Sequence, residues 1–310
     1  MKKLRVGVVG VGHLGSAHAK VYSRLKNVDL VSVCDCKLTR AKKIARKYKT
    51  SYCTDYRDLF KKVDAVSIVV PTSLHYAISK DFLVHDIHLL IEKPMTKILS
   101  EADELILLAK EKKITLQIGH IERFNSAIQA IEGFLKEPRF VECQRLGPFN
   151  KRVRDVGAVL DLMIHDIDIV LGLVKSDVLY IEAVGASTIS LFEDIANVRI
   201  SFENGAVADI TASRVTKDRV RRIRIFQEDS YIFLDYIRQD AVMFGKKGSK
   251  IKRKKIPIRK VEPLKQELKS FVKCVTTGSR PVVAGEEGRR ALAVALMIVE
   301  KINLGKKNYK

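Results

Sequence analysis

The first third of the chain alternates short apolar runs with segments of helical periodicity. The apolar runs have the length of strands, and because consecutive positions are apolar, both faces of each strand are expected to be covered. These runs span residues 4–9, 30–34, 65–70, 88–91 and 114–118. Strands that alternate with helices in this way predict a parallel, doubly wound α/β sheet.

Beyond about residue 120 the pattern changes. Helical periodicity covers residues 126–135, 160–173 and, in the last helix, about 286–303. Asn204-Gly205 separates two strand-like runs and favours the type I′ turn of a β-hairpin. The sequence therefore predicts two domains: residues 1–120 with the parallel sheet, and residues 121–310, an α+β domain with an open, largely antiparallel sheet.

The composition of the 310 residues is that of a globular protein, with 46% apolar and 30% charged residues and too few Gly and Pro for a disordered or collagen-like chain. No apolar run reaches the roughly 20 residues of a membrane-spanning helix, and the chain starts with a strand rather than a signal peptide.

The cysteines are scattered and odd in number: Cys34, Cys36, Cys53, Cys143 and Cys274. They predict a reducing, cytoplasmic location with no disulfide and no bound metal.

Positive charge is in excess, with 57 Lys and Arg against 36 Asp and Glu and a formal net charge of +21. Such a charge attracts polyanions and anionic surfaces. The excess is densest at residues 246–273, where twelve Lys or Arg accompany two acids, Glu262 and Glu267. We interpret this run as a turn and a solvated late strand, with weak docking to an anionic surface as the alternative. A specific nucleic-acid partner is not expected, because the run has little aromatic interleaving and no recognised nucleic-acid module accompanies it.

The first strand leads into Gly10-Val-Gly12-His-Leu-Gly15, and a helical pattern follows. A G-x-G-x-x-G sequence between a strand and a helix is typical of Rossmann domains, whose glycines bring the backbone close to a dinucleotide diphosphate. The amides at the start of the helix then bind the diphosphate. We therefore predict a Rossmann domain that binds NAD(P), with contacts from Gly10, Gly12, His13, Leu14 and Gly15.

The second strand ends at Asp35, twenty residues after Gly15. A carboxylate at this distance accepts hydrogen bonds from the adenosine ribose and repels a 2′-phosphate. The sequence therefore favours NAD over NADP as the cofactor. Lys37 and Arg40 lie close enough in sequence to meet a 2′-phosphate, so NADP is not excluded.

Three further motifs follow in order: Pro71-Thr72-Ser-Leu-His75, Ile91-Glu92-Lys93-Pro94 and Asp161-Leu-Met-Ile-His165. With the phosphate loop, they resemble the glucose-fructose oxidoreductase and inositol dehydrogenase family (Gfo/Idh/MocA) over nearly the whole chain. The resemblance implies cofactor contacts from Thr72, His75, Glu92 and Lys93 and a cis Lys93–Pro94 bond. It also implies that the chain forms a homodimer or homotetramer through the open sheet of the second domain.

By the same resemblance, Lys93, Asp161 and His165 surround the reacting carbon. Asp161 and His165 are four residues apart, which places both on one face of a helix. Hydride transfer from a secondary alcohol requires a group that takes the hydroxyl proton, and an imidazole such as that of His165 is suited to this role near neutral pH. Lys93 would stabilise the developing alkoxide and Asp161 would orient the group. The alternative is Lys93 as proton acceptor with His165 only positioning. The neighbouring Asp166 and Asp168 are predicted to cap the helix or to be solvated.

The stretch Gly119-His-Ile-Glu-Arg123-Phe-Asn125 bears on the substrate. It resembles the version found in family members that act on nucleotide sugars, with Ser126 in place of the usual proline. Arg123 would bind a diphosphate or sugar oxygen and Asn125 a hydroxyl, unless both residues pair internally.

The resemblance therefore implies oxidation of a sugar-ring hydroxyl by NAD. It is closest to the branch of the family that acts on C3 of UDP-N-acetylglucosamine in lipopolysaccharide precursor synthesis. Two other interpretations compete with it: an inositol-type dehydrogenase of free polyols or sugars, and a non-catalytic NAD(P)-binding regulator.

Overall fold

A computed structural model describes residues 3–149, 156–248 and 250–307, and the chain folds into two compact units. The first unit consists of Met1–Ile121 and Glu262–Arg289, and the second of Glu122–Val261 and Arg290–Lys310. The sequence predicts a single domain boundary at residue 120. It does not predict that Glu262–Arg289 belongs to the first unit. Within the described residues, no helix is both long and apolar enough to cross a membrane.

The first unit is built on a six-stranded parallel sheet, as the sequence predicts. Its strands are β1 Leu4–Val9, β2 Val28–Cys34, β3 Ser51–Cys53, β4 Ala65–Ile68, β5 His88–Glu92 and β6 Leu116–Gly119, in the order β3-β2-β1-β4-β5-β6. Its helices are α1 His13–Tyr22, α2 Leu38–Tyr48, α3 His75–Val84 and α4 Leu99–Glu111. The sequence does not predict β3, because a three-residue edge strand has no apolar run to mark it.

A later helix, α7 Pro263–Thr277 in chain order, belongs to the same unit. Its buried side, which includes Leu264, Leu268 and Phe271, joins the apolar core formed by α1 and the first two strands. This packing explains why the segment returns to the first unit, since an amphipathic helix must bury its apolar stripe.

The second unit holds an eight-stranded sheet in the order β14-β13-β12-β11-β7-β10-β9-β8. The strands are β7 Phe140–Leu146, β8 Val178–Ala186, β9 Ile195–Phe202, β10 Val207–Ser213, β11 Val220–Phe226, β12 Ser230–Asp235, β13 Asp240–Lys247 and β14 Lys250–Lys255. Neighbours are antiparallel except β7 and β10, which are parallel. The predicted hairpin at Asn204-Gly205 is confirmed, but its turn is not type I′, because Gly205 has a positive φ of 80° and Asn204 does not.

Helices cover one face of this sheet. They are α5 Ser126–Ile131, α6 Ile164–Val174 and α8 Gly285–Lys307, whose buried residues form one apolar core with every second residue of the strands. The predicted helix at residues 126–135 is shorter than expected, because a 3-10 turn, Glu132–Phe134, follows α5. The predicted last helix is confirmed and extends to Lys307.

The basic run at residues 246–273 is divided between the two units. Its strand, β14, is exposed along its whole length at the edge of the second unit, as the interpretation of a solvated late strand requires. Of the turn predicted before β14, Ser249 lies outside the described residues. Lys265, Lys269 and Lys273 instead lie on α7 in the first unit. Charges that are adjacent in sequence are thus divided between two units.

A buried ion network fastens α6 to the sheet. Arg145 on β7 is 2% exposed, and its guanidinium donates to both oxygens of Asp166 at 2.7 and 2.8 Å and to Glu122 at 2.8 Å. Burial alone lowers the pKa of Arg145, but the two carboxylates raise it well above its usual value, so the group stays charged. The prediction that Asp166 caps or is solvated is wrong, because the arginine that pairs with it comes from a strand about 20 residues away.

We expect Arg145→Leu to lower the free energy of unfolding by about 3–5 kcal/mol, because it leaves the buried Asp166 without its partner and removes a donor from Glu122. Urea denaturation followed by circular dichroism measures the change. Arg199→Leu is the matched control, since Arg199 pairs with Asp209 at an exposed position and its loss should cost less than about 1 kcal/mol. Equal losses in the two variants would contradict the structural role of the network.

Candidate active site

The phosphate loop is held so tightly that only glycine fits at its ends. Gly10 has a φ of 85°, and a Cβ placed on it would lie 2.3 Å from the carbonyl oxygen of Val69. A Cβ on Gly15 would lie 1.8 Å from the carbonyl oxygen of Gly10. At Gly12, by contrast, no described atom lies within 4 Å of an added Cβ, and α1 begins at the next residue.

This geometry fits the diphosphate of a dinucleotide. The first amides of α1 have no side-chain cap among the described residues, so they remain available to an anion at the positive end of the helix. His13 and Leu14, which were predicted to contact the cofactor, are both exposed in the first turn of α1.

Asp35 joins the end of β2 to the phosphate loop. Its carboxylate accepts a hydrogen bond from the backbone N–H of Val11 at 3.1 Å and another from that of Lys37 at 2.9 Å. Arg40 donates to the same carboxylate at 3.1 Å. Asp35 is 5% exposed, and its hydrogen bond to Val11 orients the loop. Its side chain lies at the end of β2, where the sequence predicts the ribose of the cofactor.

β5 ends at Glu92 and the turn after it contains Lys93 and Pro94, whose peptide bond is cis, as the family resemblance implies. His75 lies behind this turn. Its Nδ1 is 2.9 Å from the carbonyl oxygen of Pro94 and its Nε2 is 3.0 Å from that of Val70. Burial lowers the pKa of His75, although the two carbonyl groups favour its protonated form.

These contacts show where the predicted cofactor residues of this region lie. His75 is 1% exposed, and both ring nitrogens contact the backbone, so its observed role is to join the ends of two strands. Thr72 is half-buried at the start of a 3-10 turn, Thr72–Leu74. Glu92 is buried, and its carboxylate contacts the ring of His18 and the backbone N–H of Lys93.

Asp161 and His165 lie half-buried in one helical segment, but the segment is not a regular α-helix. A π-helix, Val159–Met163, precedes α6 and contains Asp161, whereas His165 is the second residue of α6. Single π-helical turns occur frequently at functional sites. Because a π-helical turn holds more residues than the α-helical turn that a spacing of four assumes, the shared face of Asp161 and His165 stays a prediction.

The start of this helical segment is held by two acids that the sequence analysis missed. Glu193 accepts a hydrogen bond from the backbone N–H of Val159 at 3.1 Å, and Asp194 pairs with Arg214 at 2.8 Å. Arg214 also donates to the carbonyl oxygen of Val156 at 2.8 Å. Burial raises the pKa of Asp194, but donors that include the backbone N–H of Ile189 outweigh burial and hold this pKa below its usual range.

Arg123 and Asn125 pair internally. Arg123 donates to Asp168 at 2.7 Å, and Asp168 is 2% exposed. Asn125 caps α5 by accepting from the backbone N–H of Ala127 at 3.1 Å, and its amide nitrogen donates to the carbonyl oxygen of Tyr236. Both residues therefore follow the alternative in which they pair internally. The prediction that Asp168 caps the helix or is solvated is wrong, because Asp168 is buried against Arg123.

Replacing Asp35 by Asn tests its cofactor role. We expect roughly tenfold weaker NADH binding, because one charge-assisted hydrogen bond of about 1.5 kcal/mol is lost. Affinity for NADPH should be unchanged or higher, since Arg40 is then available to a 2′-phosphate. Fluorescence titration with both cofactors measures the effect, with Asp29→Asn as the control because Asp29 is exposed on the same strand. An equal loss of affinity for both cofactors would sink this assignment.

Comparisons with known proteins identify the family of the chain. Residues 4–120 match the model described as "Oxidoreductase family, NAD-binding Rossmann fold", and residues 126–233 match the "GFO/IDH/MocA C-terminal domain". The UDP-N-acetylglucosamine 3-dehydrogenase of Acidithiobacillus ferrooxidans is 36% identical over 307 residues, which cover 96% of this chain and 97% of the relative. A solved structure of that enzyme matches with a TM-score of 0.92 and covers 97% of this chain and 98% of its own.

Two more distant matches also cover most of the chain. The myo-inositol 2-dehydrogenase of Thermotoga maritima is 26% identical, with 93% of each chain covered. An oxidoreductase of Agrobacterium radiobacter, solved in complex with NAD+, L-tartaric acid and magnesium, has the same fold at 18% identity, with a TM-score of 0.88 and coverage of 98% of this chain and 97% of its own. The chain therefore belongs to the Gfo/Idh/MocA oxidoreductase family and is an NAD(P)-dependent dehydrogenase that acts on CH–OH groups.

Proposed function

We propose that this enzyme uses NAD to oxidise a secondary hydroxyl of a sugar ring, namely C3 of a UDP-linked N-acetylhexosamine, in a cytoplasmic pathway to lipopolysaccharide precursors. The observation that carries the proposal is the likeness to the Acidithiobacillus enzyme, which extends over both units at 36% identity. The Asp35 carboxylate at the end of β2 supports NAD as the preferred cofactor.

The residues of the chain have distinct roles in this reaction. His165 takes the proton of the hydroxyl, because a neutral imidazole is an effective base near neutral pH. Lys93 stabilises the negative charge that develops on the oxygen, and Asp161 orients the proton acceptor. Bound NAD supplies the acceptor for the hydride. The alternative assignment exchanges the first two roles, with Lys93 as the proton acceptor.

Arg123 and Asn125 were predicted to bind the substrate, but their observed contacts lead us to a different proposal. Both residues position the structure that carries the site: Arg123 holds α6 through Asp168, and Asn125 holds the start of α5. Asn125 is 2% exposed, which leaves little of its side chain for a direct substrate contact.

A free polyol is the second candidate substrate. The likeness to the Thermotoga myo-inositol dehydrogenase favours it, and the chemistry at the hydroxyl carbon would be the same. The two candidates differ in whether a nucleoside diphosphate contributes to binding, which a panel of substrates distinguishes.

We expect the purified enzyme to reduce NAD with UDP-N-acetylglucosamine at a higher kcat/KM than with myo-inositol or glucose. Lys93→Ala and His165→Ala should each lower kcat by at least about 100-fold and leave NADH binding intact, as expected for groups that act on the hydroxyl. Lys97→Ala and His85→Ala, at exposed positions, are the controls. A clear preference for myo-inositol would overturn the nucleotide-sugar assignment, and near-normal turnover in both alanine variants would overturn the catalytic one.

We further propose that the second unit associates with copies of itself through the open face of its sheet. On this face, rings from four adjacent strands form a row in which centroids of neighbouring rings are 5.6, 5.3 and 4.6 Å apart: Phe140, Phe226, Tyr231 and Phe244. Aromatic side chains are enriched in protein interfaces. The row therefore supports a homodimer or homotetramer.

Tyr231→Glu places a charge in the middle of this row, and we expect it to shift the enzyme from its oligomer to a monomer. Light scattering coupled to gel filtration measures the mass. Lys252→Glu, on the exposed edge strand β14, introduces the same side chain away from the row and should leave the mass unchanged. Association through another surface would be indicated by an unaltered mass of the Tyr231 variant.

A further inference from the structure

Two cysteines that are distant in the sequence lie side by side at one edge of the parallel sheet. Cys34 ends β2 and Cys53 ends β3, and the two residues are paired in the register of these strands. Neighbouring strands are about 4.8 Å apart, and a disulfide requires Cα atoms about 4.4–6.8 Å apart. The strand register therefore gives the two residues a spacing at which a disulfide can form.

The pair is reached from the edge of the sheet. β3 has a strand neighbour on one side only, because it is the first strand in the order β3-β2-β1-β4-β5-β6. Its other residues, Ser51 and Tyr52, are exposed and Cys53 is half-buried, whereas Cys34 is 3% exposed. A small oxidant therefore reaches Cys53 first. A three-residue edge strand is held by few hydrogen bonds, so it can adjust its distance to β2.

The two side chains also interact with each other. A hydrogen bond between the thiols raises the pKa of Cys34 and lowers that of Cys53. Partial burial opposes the lowering at Cys53, and the hydroxyl of Ser32, on the same face of β2 as Cys34, adds to it. Cys53 is therefore the thiol that ionises more readily, and the thiolate is the form that reacts with oxidants.

Both cysteines hold the backbone of the cofactor site. The carbonyl oxygen of Cys34 accepts a hydrogen bond from the N–H of Gly10 at 2.8 Å, and that of Cys53 accepts one from the N–H of Asp35 at 3.3 Å. Gly10 begins the phosphate loop, and Asp35 is the acid that contacts this loop through Val11. A change in the spacing between the two cysteines is thus passed directly to both segments that are predicted to bind the dinucleotide.

We propose that Cys34 and Cys53 are a modification site, where a peroxide oxidises the pair to a cross-strand disulfide and this bond weakens binding of the dinucleotide. The inference goes beyond the proposed function, and it uses only the position of Asp35 beside the phosphate loop. Spacing along the chain does not reveal the pair, because the sequence does not predict β3. The two residues are free thiols in this structure, and in a reducing compartment such a disulfide is transient.

Hydrogen peroxide is the two-electron oxidant of the reaction. The Cys53 thiolate attacks one peroxide oxygen and the O–O bond breaks, which leaves a sulfenic acid on Cys53 and a hydroxide that is protonated to water. The Cys34 sulfur then attacks the sulfenic sulfur, so that the S–S bond forms and the S–O bond breaks. The departing oxygen takes the thiol proton of Cys34 and leaves as a second water. Two thiols and one peroxide thus become one disulfide and two waters.

The experiment uses the full-length enzyme, reduced with dithiothreitol, freed of the reductant and exposed to hydrogen peroxide. Mass spectrometry of a non-reducing digest should find the peptides of Cys34 and Cys53 joined with the loss of two hydrogens. Fluorescence titration should show a Kd for NADH that is about fivefold to tenfold higher after oxidation, as the loss of one hydrogen bond in the site predicts. Dithiothreitol should reverse both changes, and circular dichroism should show that the oxidised enzyme remains folded.

Cys53→Ser tests the pair with little change in size, and it should lose both the cross-link and the response of NADH affinity to peroxide. Cys36→Ser is the matched control. Cys36 is an exposed thiol just beyond the end of β2, with its sulfur 4.0 Å from Oδ1 of Asp35, and it has no place in the register with Cys53. This variant should form the cross-link and lose affinity as the wild type does.

The inference is wrong if peroxide does not join Cys34 to Cys53, if the joined enzyme binds NADH as before, or if it unfolds. A loss of affinity that persists in Cys53→Ser or disappears in Cys36→Ser would assign the effect to the exposed thiol instead and overturn the pair. The NADH titrations need no sugar. They therefore decide the question even if the proposed substrate is wrong, and a failure here leaves the sugar assignment untouched.

Discussion

Buried carboxylates that require a donor are the constraint on which both units depend. In the first unit, Asp35 holds the phosphate loop through the N–H of Val11, and Glu92 holds the turn that carries Lys93. In the second unit, Glu193 holds the start of the helical segment with Asp161 and His165, and Asp166 fastens its continuation to Arg145. Because a buried acid without a partner is costly, each of these contacts fixes the backbone at one position.

The same constraint explains why charged residues near the candidate site are mostly structural. Arg123, Arg145 and Arg214 each donate to a carboxylate that is at most 2% exposed, and none of the three is more than 20% exposed. Arginine suits this task because its planar group donates to both oxygens of an acid. The arginines therefore set the geometry, and the proposed chemistry is left to half-buried groups at the ends of elements, Lys93, Asp161 and His165.

How far the sequence predicts the structure depends on the range of the interactions. The parallel strands, the Asn204-Gly205 hairpin and the last helix follow from local periodicity and turn chemistry, and the structure has all of them. The edge strand β3, the π-helical turn at Asp161 and the return of α7 to the first unit do not follow, because each depends on packing against distant segments. The partners of Asp166 and Asp168 were missed for the same reason.

The sequence by itself determined the family, the nucleotide-binding loop and five of the six strands of the parallel sheet, since glycine spacing, apolar periodicity and short motifs indicate them. Only the tertiary structure decided which polar residues face inward. From the sequence, Arg123 and Asn125 were predicted to bind the substrate. In the structure, Arg123 pairs with Asp168 and Asn125 caps the start of α5. In the sequence, Glu267 is one of two acids in a basic run. In the structure, it is buried on α7, close enough to Glu92 for their charges to interact. Whether a charge meets solvent or another charge is decided by contacts between segments far apart in the chain, which no local pattern contains.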